Sequence, residues 1–147
     1  MDFDLNEQQE MLRTAARDFL ANECPKDHVK EMARDEKGHS SELWRKMADL
    51  GWQGLIFPEE YGGLGGNHLD LVVLMEEMGR ACLPGPFFPT VVLGGLFILN
   101  AGSDEQKRDL LGRVSQGRTI LTLALTEASA SYEAAAVTVE AVADNED

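Results

Sequence analysis

The sequence predicts a mainly α-helical domain followed by the beginning of a β domain. Apolar residues recur three and four positions apart through most of the first 118 residues, which is the spacing of amphipathic helices. From residue 119 the apolar residues alternate instead, and Lys and Arg are absent after Arg118. We therefore expect an all-helical domain over residues 1–118 and the first strands of a β domain over residues 119–147.

The first predicted helix begins after Asn6, which is a favourable N-cap, and Gln9 completes a capping box three residues later. Pro25 ends this helix. The polar connector "KDHVKEMARDEKGHSS" is expected to hold a further helical turn in its first part. The apolar residues assigned to one face of the first helix are Met11, Leu12, Ala15, Ala16, Phe19 and Leu20.

The second helix is "SELWRKMADLG", with Gly51 as its C-cap, and the third is "HLDLVVLMEEMGRACL", which ends before Pro84. We assign Trp44 and Trp52 to the core. The charges of "EEMGR" allow an ion pair involving Arg80, and we interpret them as a solvated helix face. The apolar stripe predicted for the second helix is Leu43, Trp44, Met47 and Leu50.

Between these two helices lies "PEEYGGLGG", which has four glycines in five positions. Such a loop is either a phosphate cradle or a tight turn. A phosphate loop needs a further glycine where His68 stands, or a lysine nearby, and Glu59 and Glu60 would repel phosphate. We therefore interpret the stretch as an inter-helix turn whose glycines supply positive φ and close packing.

Two more helices complete the helical part. "TVVLGGLFILNAG" is nearly uncharged and is expected to be a buried helix ending at Gly102. Gly94 and Gly95 within it each cost about 1 kcal/mol relative to Ala, which indicates either close packing or space for a ligand. Ser103 then caps "DEQKRDLLGRV", and Gln106 completes a second capping box.

Two strands are predicted after residue 118. "TILTLALT" (119–126) alternates, with Leu121, Leu123 and Leu125 on one side, and "AVTVEAVA" (136–143) alternates as well. "EASASYEAAA" between them is typical of a loop. Two strands do not make a stable sheet alone, and the turn-like "DNED" has no strand after it. We therefore expect the β domain to be truncated shortly after it begins.

The composition excludes several classes of function. The net charge of −13 argues against nucleic acid and anionic membranes as partners, because both require a basic surface. Cys24 and Cys82 are too few and too far apart for a disulfide framework or a zinc site, so we expect two reduced, buried thiols. The acidic start "MDFDLNEQQ" is not a signal peptide, and no stretch is long enough to span a bilayer. A cytoplasmic location is the simplest expectation.

Several segments together resemble the acyl-CoA dehydrogenase family of flavoproteins. They are "LNEQQEMLRTAARDFL", "LGWQGLIFPEEYGGLGG", "EEMGRAC", "AGSDEQKRDLL" and "LALTE", in this order along nearly the whole chain. The resemblance implies the orthogonal N-terminal helical domain of that family and the first strands of its middle β domain. It also implies FAD, α,β-dehydrogenation of an acyl-CoA substrate in fatty acid metabolism, an electron-transferring flavoprotein as acceptor, and a homo-oligomer.

The resemblance also implies which residues contact ligands. In "LALTE", Leu123 and Leu125 would offer backbone groups to the flavin pyrimidine edge, and Thr126 would offer its hydroxyl; Ser131 follows in the cofactor loop. The acyl-chain cavity would be lined from "FFPTVVLGGLFIL" by Phe88, Thr90 and Leu93, with Tyr132 near the substrate. The family's catalytic base is a glutamate of a C-terminal bundle, so we assign no catalytic residue to this sequence.

The loop after "LALTE" departs from the family pattern. Ser131, Tyr132 and Glu133 stand where the family has a Gly-Ser-Asp triplet, and a side chain at the glycine position crowds a place where backbone approaches ligand. Three readings therefore stay open. The chain belongs to an active dehydrogenase, to a non-catalytic assembly subunit or domain of the same fold, or to a related flavin oxidase.

Overall fold

The computed structural model describes residues 4–128, 133–140 and 142, and every regular element within them is helical. The predicted helical fold is therefore confirmed. The first four helices are α1 (Glu7–Glu23), α2 (Lys26–Met32), α3 (Ser41–Asp49) and α4 (His68–Arg80). Helix α5 is π-helical over Phe88–Gly95 and continues as an α-helix over Leu96–Ala101. Helix α6 begins with Asp104–Gln106, is π-helical over Lys107–Leu111 and ends with Gly112–Ser115. Short 3₁₀ turns lie at Trp52–Gly54, Glu59–Tyr61 and Ala134–Ala136.

Both predicted capping boxes are confirmed. The N–H of Gln9 donates to Asn6 Oδ1 at 2.9 Å, and the N–H of Asn6 donates to Gln9 Oε1 at 3.1 Å. Ser103 and Gln106 exchange the same pair of bonds at the start of α6. These bonds satisfy backbone donors that have no partner within the first turn of a helix.

Helices α1 and α4 run in the same direction, in register. Gln9 Nε2 donates to Asp70 Oδ1 at 2.9 Å, and Arg17 binds Glu77 about two turns further along both helices. The partners are 61 residues apart in the first pair and 60 residues apart in the second. Because this separation stays nearly constant along both helices, the helices are parallel. The ends of α1 and α4 therefore lie side by side.

The core lies between α1, α3, α4, α5 and α6. Trp44 and Trp52 belong to it, as predicted, and the indole N–H of Trp44 donates to Gly117 O at 3.0 Å. Phe19 packs edge-on against Trp52 with ring centroids 5.0 Å apart. Apolar side chains with at most 2% exposure in this cluster are Ala16, Leu20, Phe57, Leu74, Val91, Leu111 and Val114.

Four residues predicted to be buried are not. Met11 is 63% exposed and Leu50 is 48% exposed, and Ala15 and Cys82 are also exposed. Met11 and Ala15 lie on the edges of the α1 stripe, where helical spacing alone does not distinguish core from solvent. Leu50 follows the last residue of α3, and Cys82 follows α4 with a φ of 53°.

The glycine-rich loop is a turn packed on its own chain, as the sequence indicated. Gly62 and Gly65 have φ of 81° and 67°, in the left-handed region that favours glycine. A Cβ on Gly63 would lie 2.1 Å from the carbonyl oxygen of Phe57. Each N–H from residue 62 to residue 66 donates to a backbone carbonyl of residues 54–59, so none is free to hold phosphate.

The two glycines of α5 serve close packing in the folded chain. A Cβ on Gly95 would lie 2.4 Å from Cζ of Phe57, and a Cβ on Gly94 would lie 2.5 Å from Cβ of Leu121. Both helix faces are therefore occupied by protein atoms, and the packing interpretation of these glycines is confirmed. The expected burial of this helix holds for its first part, while Phe97 is 56% exposed.

The strands predicted for 119–126 and 136–143 are not formed in the described part of the chain. A strand needs a neighbouring strand to hydrogen-bond with, and Leu121 of the first segment is hydrogen-bonded to Thr90 of α5 instead. Ala141 and Ala143 of the second predicted strand lie outside the described residues. Among the residues that are described, no helix has the length and apolar character needed to cross a membrane.

Candidate functional site

The segment 119–128 is anchored on α5 at Leu121. Thr90 is fully buried, and its Oγ1 accepts the N–H of Leu121 and donates to the carbonyl oxygen of Leu121, both at 3.2 Å. One helical turn after Thr90, Gly94 leaves room for the Leu121 side chain. The anchor therefore combines a bidentate polar contact with a steric fit, and it fixes where the "LALTE" segment starts.

Beyond this anchor, the polar groups of residues 122–126 have no partner among the residues that the structure describes. No hydrogen bond within the described part of the molecule involves them. Leu123 is half-buried, Leu125 is 37% exposed, and Thr126 is exposed. Backbone N–H and C=O groups are strong hydrogen-bonding groups. Those of Leu123 and Leu125 and the Thr126 hydroxyl are therefore available to a ligand with matching donors and acceptors.

Glu127 binds the backbone of the second alternating segment. Its carboxylate accepts the N–H of Thr138 at 3.0 Å, the N–H of Val139 at 2.9 Å and the hydroxyl of Thr138 at 2.8 Å. These bonds, those to the backbone of Thr138 and Val139 first, lower the pKa of Glu127. Sequence analysis assigned Glu127 no role, because nothing local marks an acid that binds backbone eleven residues away.

The three substrate candidates of α5 lie in different surroundings. Phe88 is 48% exposed and lines a groove of about 340 Å³ together with Met75, Met78 and Phe87. Leu93 is half-buried. Thr90 is fully buried, and its hydroxyl is engaged by the backbone of Leu121. The structure thus joins Thr90 to Leu121, two residues before the "LALTE" segment, and leaves Phe88 at the surface.

The loop candidates Ser131 and Tyr132 lie outside the described residues. Glu133, the third residue of the divergent triplet, is exposed. Within the described ranges, no group of three or more His, Cys, Asp or Glu side chains lies close enough together to hold a metal ion.

The helical domain matches a known family over most of its length. The family model "Acyl-CoA dehydrogenase, N-terminal domain" matches residues 6–118. The chain belongs to the acyl-CoA dehydrogenase family. The resemblance noted in the sequence is thereby confirmed.

Relatives of this acyl-CoA dehydrogenase family member are similar over almost the whole chain. It is 34% identical over 147 residues to the acryloyl-CoA reductase (NADH) of Anaerotignum propionicum, covering 99% of this chain and 37% of the reductase. It is 33% identical over 141 residues to the caffeyl-CoA reductase–Etf complex subunit CarC of Acetobacterium woodii, covering 93% of this chain and 36% of CarC. The chain thus spans little more than a third of these relatives.

A solved structure of the family is similar in fold. The acyl-CoA dehydrogenase from Bacillus anthracis, which was crystallised as a complex with FAD, superposes with a TM-score of 0.79 at 28% identity. The superposition covers 91% of this chain and 23% of that chain.

The donor and acceptor set of residues 123–126 fits the edge of a flavin. The pyrimidine part of the isoalloxazine ring carries carbonyl oxygens and an N–H, which need backbone N–H and C=O partners in return. Leu123 and Leu125 have such groups unpaired, and Thr126 adds a hydroxyl that can both donate and accept. This chain therefore has residues suited to hold part of the cofactor.

Proposed function

We propose that this chain is the N-terminal part of an FAD-dependent acyl-CoA dehydrogenase that introduces an α,β double bond into an acyl-CoA thioester. The observation that carries the proposal is the "LALTE" segment, which follows the residue that Thr90 anchors, Leu121, and whose backbone at residues 123–126 has no partner among the described residues. Family membership supports the same reaction class. When bound, FAD would supply the hydride acceptor for this chemistry.

In this proposal the chain binds and positions the reactants. Leu123, Leu125 and Thr126 hold the flavin edge, and Ser131 adds to the cofactor loop. Hydrogen bonds from fixed backbone groups orient a flat ring well, because they cost little side-chain entropy when the ring binds. The base that removes the α-proton would come from a region beyond this chain, because the family's catalytic glutamate lies in its C-terminal bundle.

The acyl chain would lie along the apolar side of α5. Phe88 and Leu93 present apolar surface there, and Tyr132 would lie near the substrate. Thr90 acts through the segment it anchors, since its hydroxyl already bonds the backbone of Leu121. An electron-transferring flavoprotein is the proposed electron acceptor, the proposed assembly is a homo-oligomer, and the proposed location is the cytoplasm.

A second candidate is a non-catalytic assembly subunit of the same fold. The divergent triplet Ser131, Tyr132 and Glu133 favours it, because added side chains would obstruct the cofactor loop. The two functions are distinguished by whether the purified protein binds FAD. An enzyme of this class retains FAD and is yellow, whereas an assembly subunit stays colourless when FAD is added.

The test uses the longer protein that contains this chain. We expect the purified protein to show a flavin spectrum and to reduce an electron-transferring flavoprotein when given acyl-CoA. Because relatives include reductases, reduction of the enoyl-CoA should be assayed as well.

The role of Thr126 is tested in the same protein. Thr126→Ala should weaken FAD retention, and Thr122→Ala on the same segment is the control. A colourless protein that takes up no FAD would overturn the proposal and favour the assembly subunit.

A further inference from the structure

A groove of about 620 Å³ lies between α2 and the C-terminal parts of α1 and α4, away from the "LALTE" segment. We call it the basic groove. Its volume is within the range of small-molecule sites in proteins. The residues that line it are Arg17, Leu20, Ala21, Cys24, Pro25, Lys26, Val29, Lys30, Glu77, Arg80, Ala81 and Cys82.

The parallel packing of α1 and α4 creates this groove. The two helices end side by side, after Glu23 and Arg80, and α2 follows α1 after a single turn at Pro25. The space at this common end is floored by apolar side chains. Ala21, Val29 and Ala81 present apolar surface to this space, and the buried Leu20 and Cys24 lie beneath them.

Charge in the groove is opposite in sign to that of the whole chain. The chain has a net charge of −13, yet four cations and a single carboxylate line this groove. That carboxylate, on Glu77, already binds Arg17 and lies 3.5 Å from Arg80 Nε. Among the residues that the structure describes, Lys30 pairs only with the largely solvent-exposed Asp27. Within the described residues, Lys26 has no ion-pair partner.

An apolar floor under a cationic rim matches one chemical class of ligand. An alkyl chain would be removed from water by the floor, and an anionic head would stay at the rim beside Lys26 and the half-exposed Arg17. A neutral alkyl compound would not use the cations, and a cationic one would be repelled by them.

We propose that the basic groove binds an amphiphilic carboxylate with an alkyl chain, through residues other than the proposed flavin and acyl-CoA contacts. The alkyl chain lies on Ala21, Val29 and Ala81. The carboxylate is bound at the rim by Lys26 and Arg17. This proposal does not depend on the proposed function, because no residue of the groove takes part in it.

The binding test uses decanoate, below its micellar concentration, titrated by calorimetry into the purified longer protein that contains this chain. We expect saturable binding of one decanoate per chain. Lys26→Glu should weaken binding by about fivefold, which is the size of effect expected from reversing one exposed charge. Lys37→Glu is the matched control, because it makes the same charge change at an exposed residue that does not line the groove.

Two further measurements fix the position of the ligand. Ala21 is exposed on the groove wall, so Ala21→Trp should fill the groove and abolish binding while helical content stays unchanged. Cys82 is exposed and lines both this groove and the groove beside Phe88, so saturating decanoate should slow its alkylation by iodoacetamide in the unmodified protein. Ala21→Trp should remove this protection, because Ala21 lines the basic groove and does not line the groove beside Phe88.

Three results would overturn the proposal. Decanol or decyltrimethylammonium binding as tightly as decanoate would show that the cations do not select the ligand. Equal affinity of Lys26→Glu and Lys37→Glu would remove Lys26 from the site. Unchanged alkylation of Cys82 at saturating decanoate would place the bound molecule elsewhere on the surface.

Discussion

Arg17 binds the buried carboxylate of Glu77 with two hydrogen bonds, from Nε to Oε2 at 3.0 Å and from Nη2 to Oε1 at 2.6 Å. The side chain of Glu77 is 1% exposed and that of Arg17 is 47% exposed. A planar guanidinium is suited to this two-point contact. The pair therefore joins α1 to α4 and also allows a carboxylate to be buried at the base of the basic groove.

The first prediction concerns the strength of this pair. Glu77→Gln should lower the free energy of unfolding by about 2 kcal/mol, which is typical for a hydrogen bond to a charged group. Arg17→Met should also destabilise the chain, because it leaves a buried carboxylate with only the more distant Arg80. The double variant Arg17→Met with Glu77→Met should be more stable than Arg17→Met alone.

Urea denaturation of the four proteins measures this order. Arg13→Met is the control, since Arg13 pairs with Glu10 within one turn of α1 and both side chains are more than a third exposed. A control variant as unstable as Arg17→Met, or a double variant no more stable than Arg17→Met alone, would contradict the prediction.

The second prediction concerns pH. The hydrogen bonds from Arg17 lower the pKa of Glu77 in the folded chain below the ordinary glutamate value. The ionised carboxylate therefore stabilises the fold above the unfolded-state pKa, and this contribution is lost as the pH falls through the lowered folded-state pKa. In Glu77→Gln, the free energy of unfolding should therefore decrease less as the pH is lowered than it does in the parent protein. An equal decrease of the free energy of unfolding at acid pH in both proteins would show that Glu77 does not cause this pH dependence.

The third prediction contrasts two glycines. Gly63→Ala should prevent folding or cost more than about 4 kcal/mol, because its Cβ would lie 2.1 Å from the Phe57 carbonyl oxygen. Gly79→Ala, inside α4 with no atom within 4 Å of the new Cβ, should stabilise the chain by about 0.5–1 kcal/mol. Thermal unfolding followed by circular dichroism tests both. Equal effects of the two substitutions would refute the packing argument.

The fourth prediction concerns the anchor of the "LALTE" segment. Thr90→Val keeps the shape of the side chain but removes the hydroxyl, which leaves the N–H and C=O of Leu121 unpaired at a cost of about 1 kcal/mol. Hydrogen exchange of the Leu121 amide should then be faster. Thr90→Ser retains the hydroxyl and should stay close to the parent. Similar exchange in all three proteins would mean that the hydroxyl does not hold the segment.

Features set by neighbouring residues were predictable from the sequence. The capping boxes at Asn6 and Ser103 need only a side chain and a backbone N–H three residues apart, so residue order determines them. The same locality explains an error on α1. Hydrophobicity favoured Met11 for the buried face, whereas the structure buries Gln9, whose amide reaches across to Asp70.

Features that join distant residues were not predictable in this way. Arg17 and Glu77 are 60 residues apart, and Thr90 and Leu121 are 31 apart. Charge pattern alone indicated a solvated face around Arg80, yet Glu77 on that helix is buried because its partner comes from α1. Apolar residues do alternate after residue 118, but a strand also requires a neighbouring strand, and the local sequence pattern does not provide one.

The parallel arrangement of α1 and α4 has a consequence for synthesis on the ribosome. A direct hairpin of two helices is antiparallel, so this pair needs a long connection, here 44 residues from Glu23 to His68. The buried face of α1 therefore emerges from the ribosome well before the helix that covers it. Closing such a long loop is entropically costly and delays native contacts. During that interval Ala16 and Leu20 are exposed, and a nascent-chain chaperone that binds short apolar segments would act on α1 first.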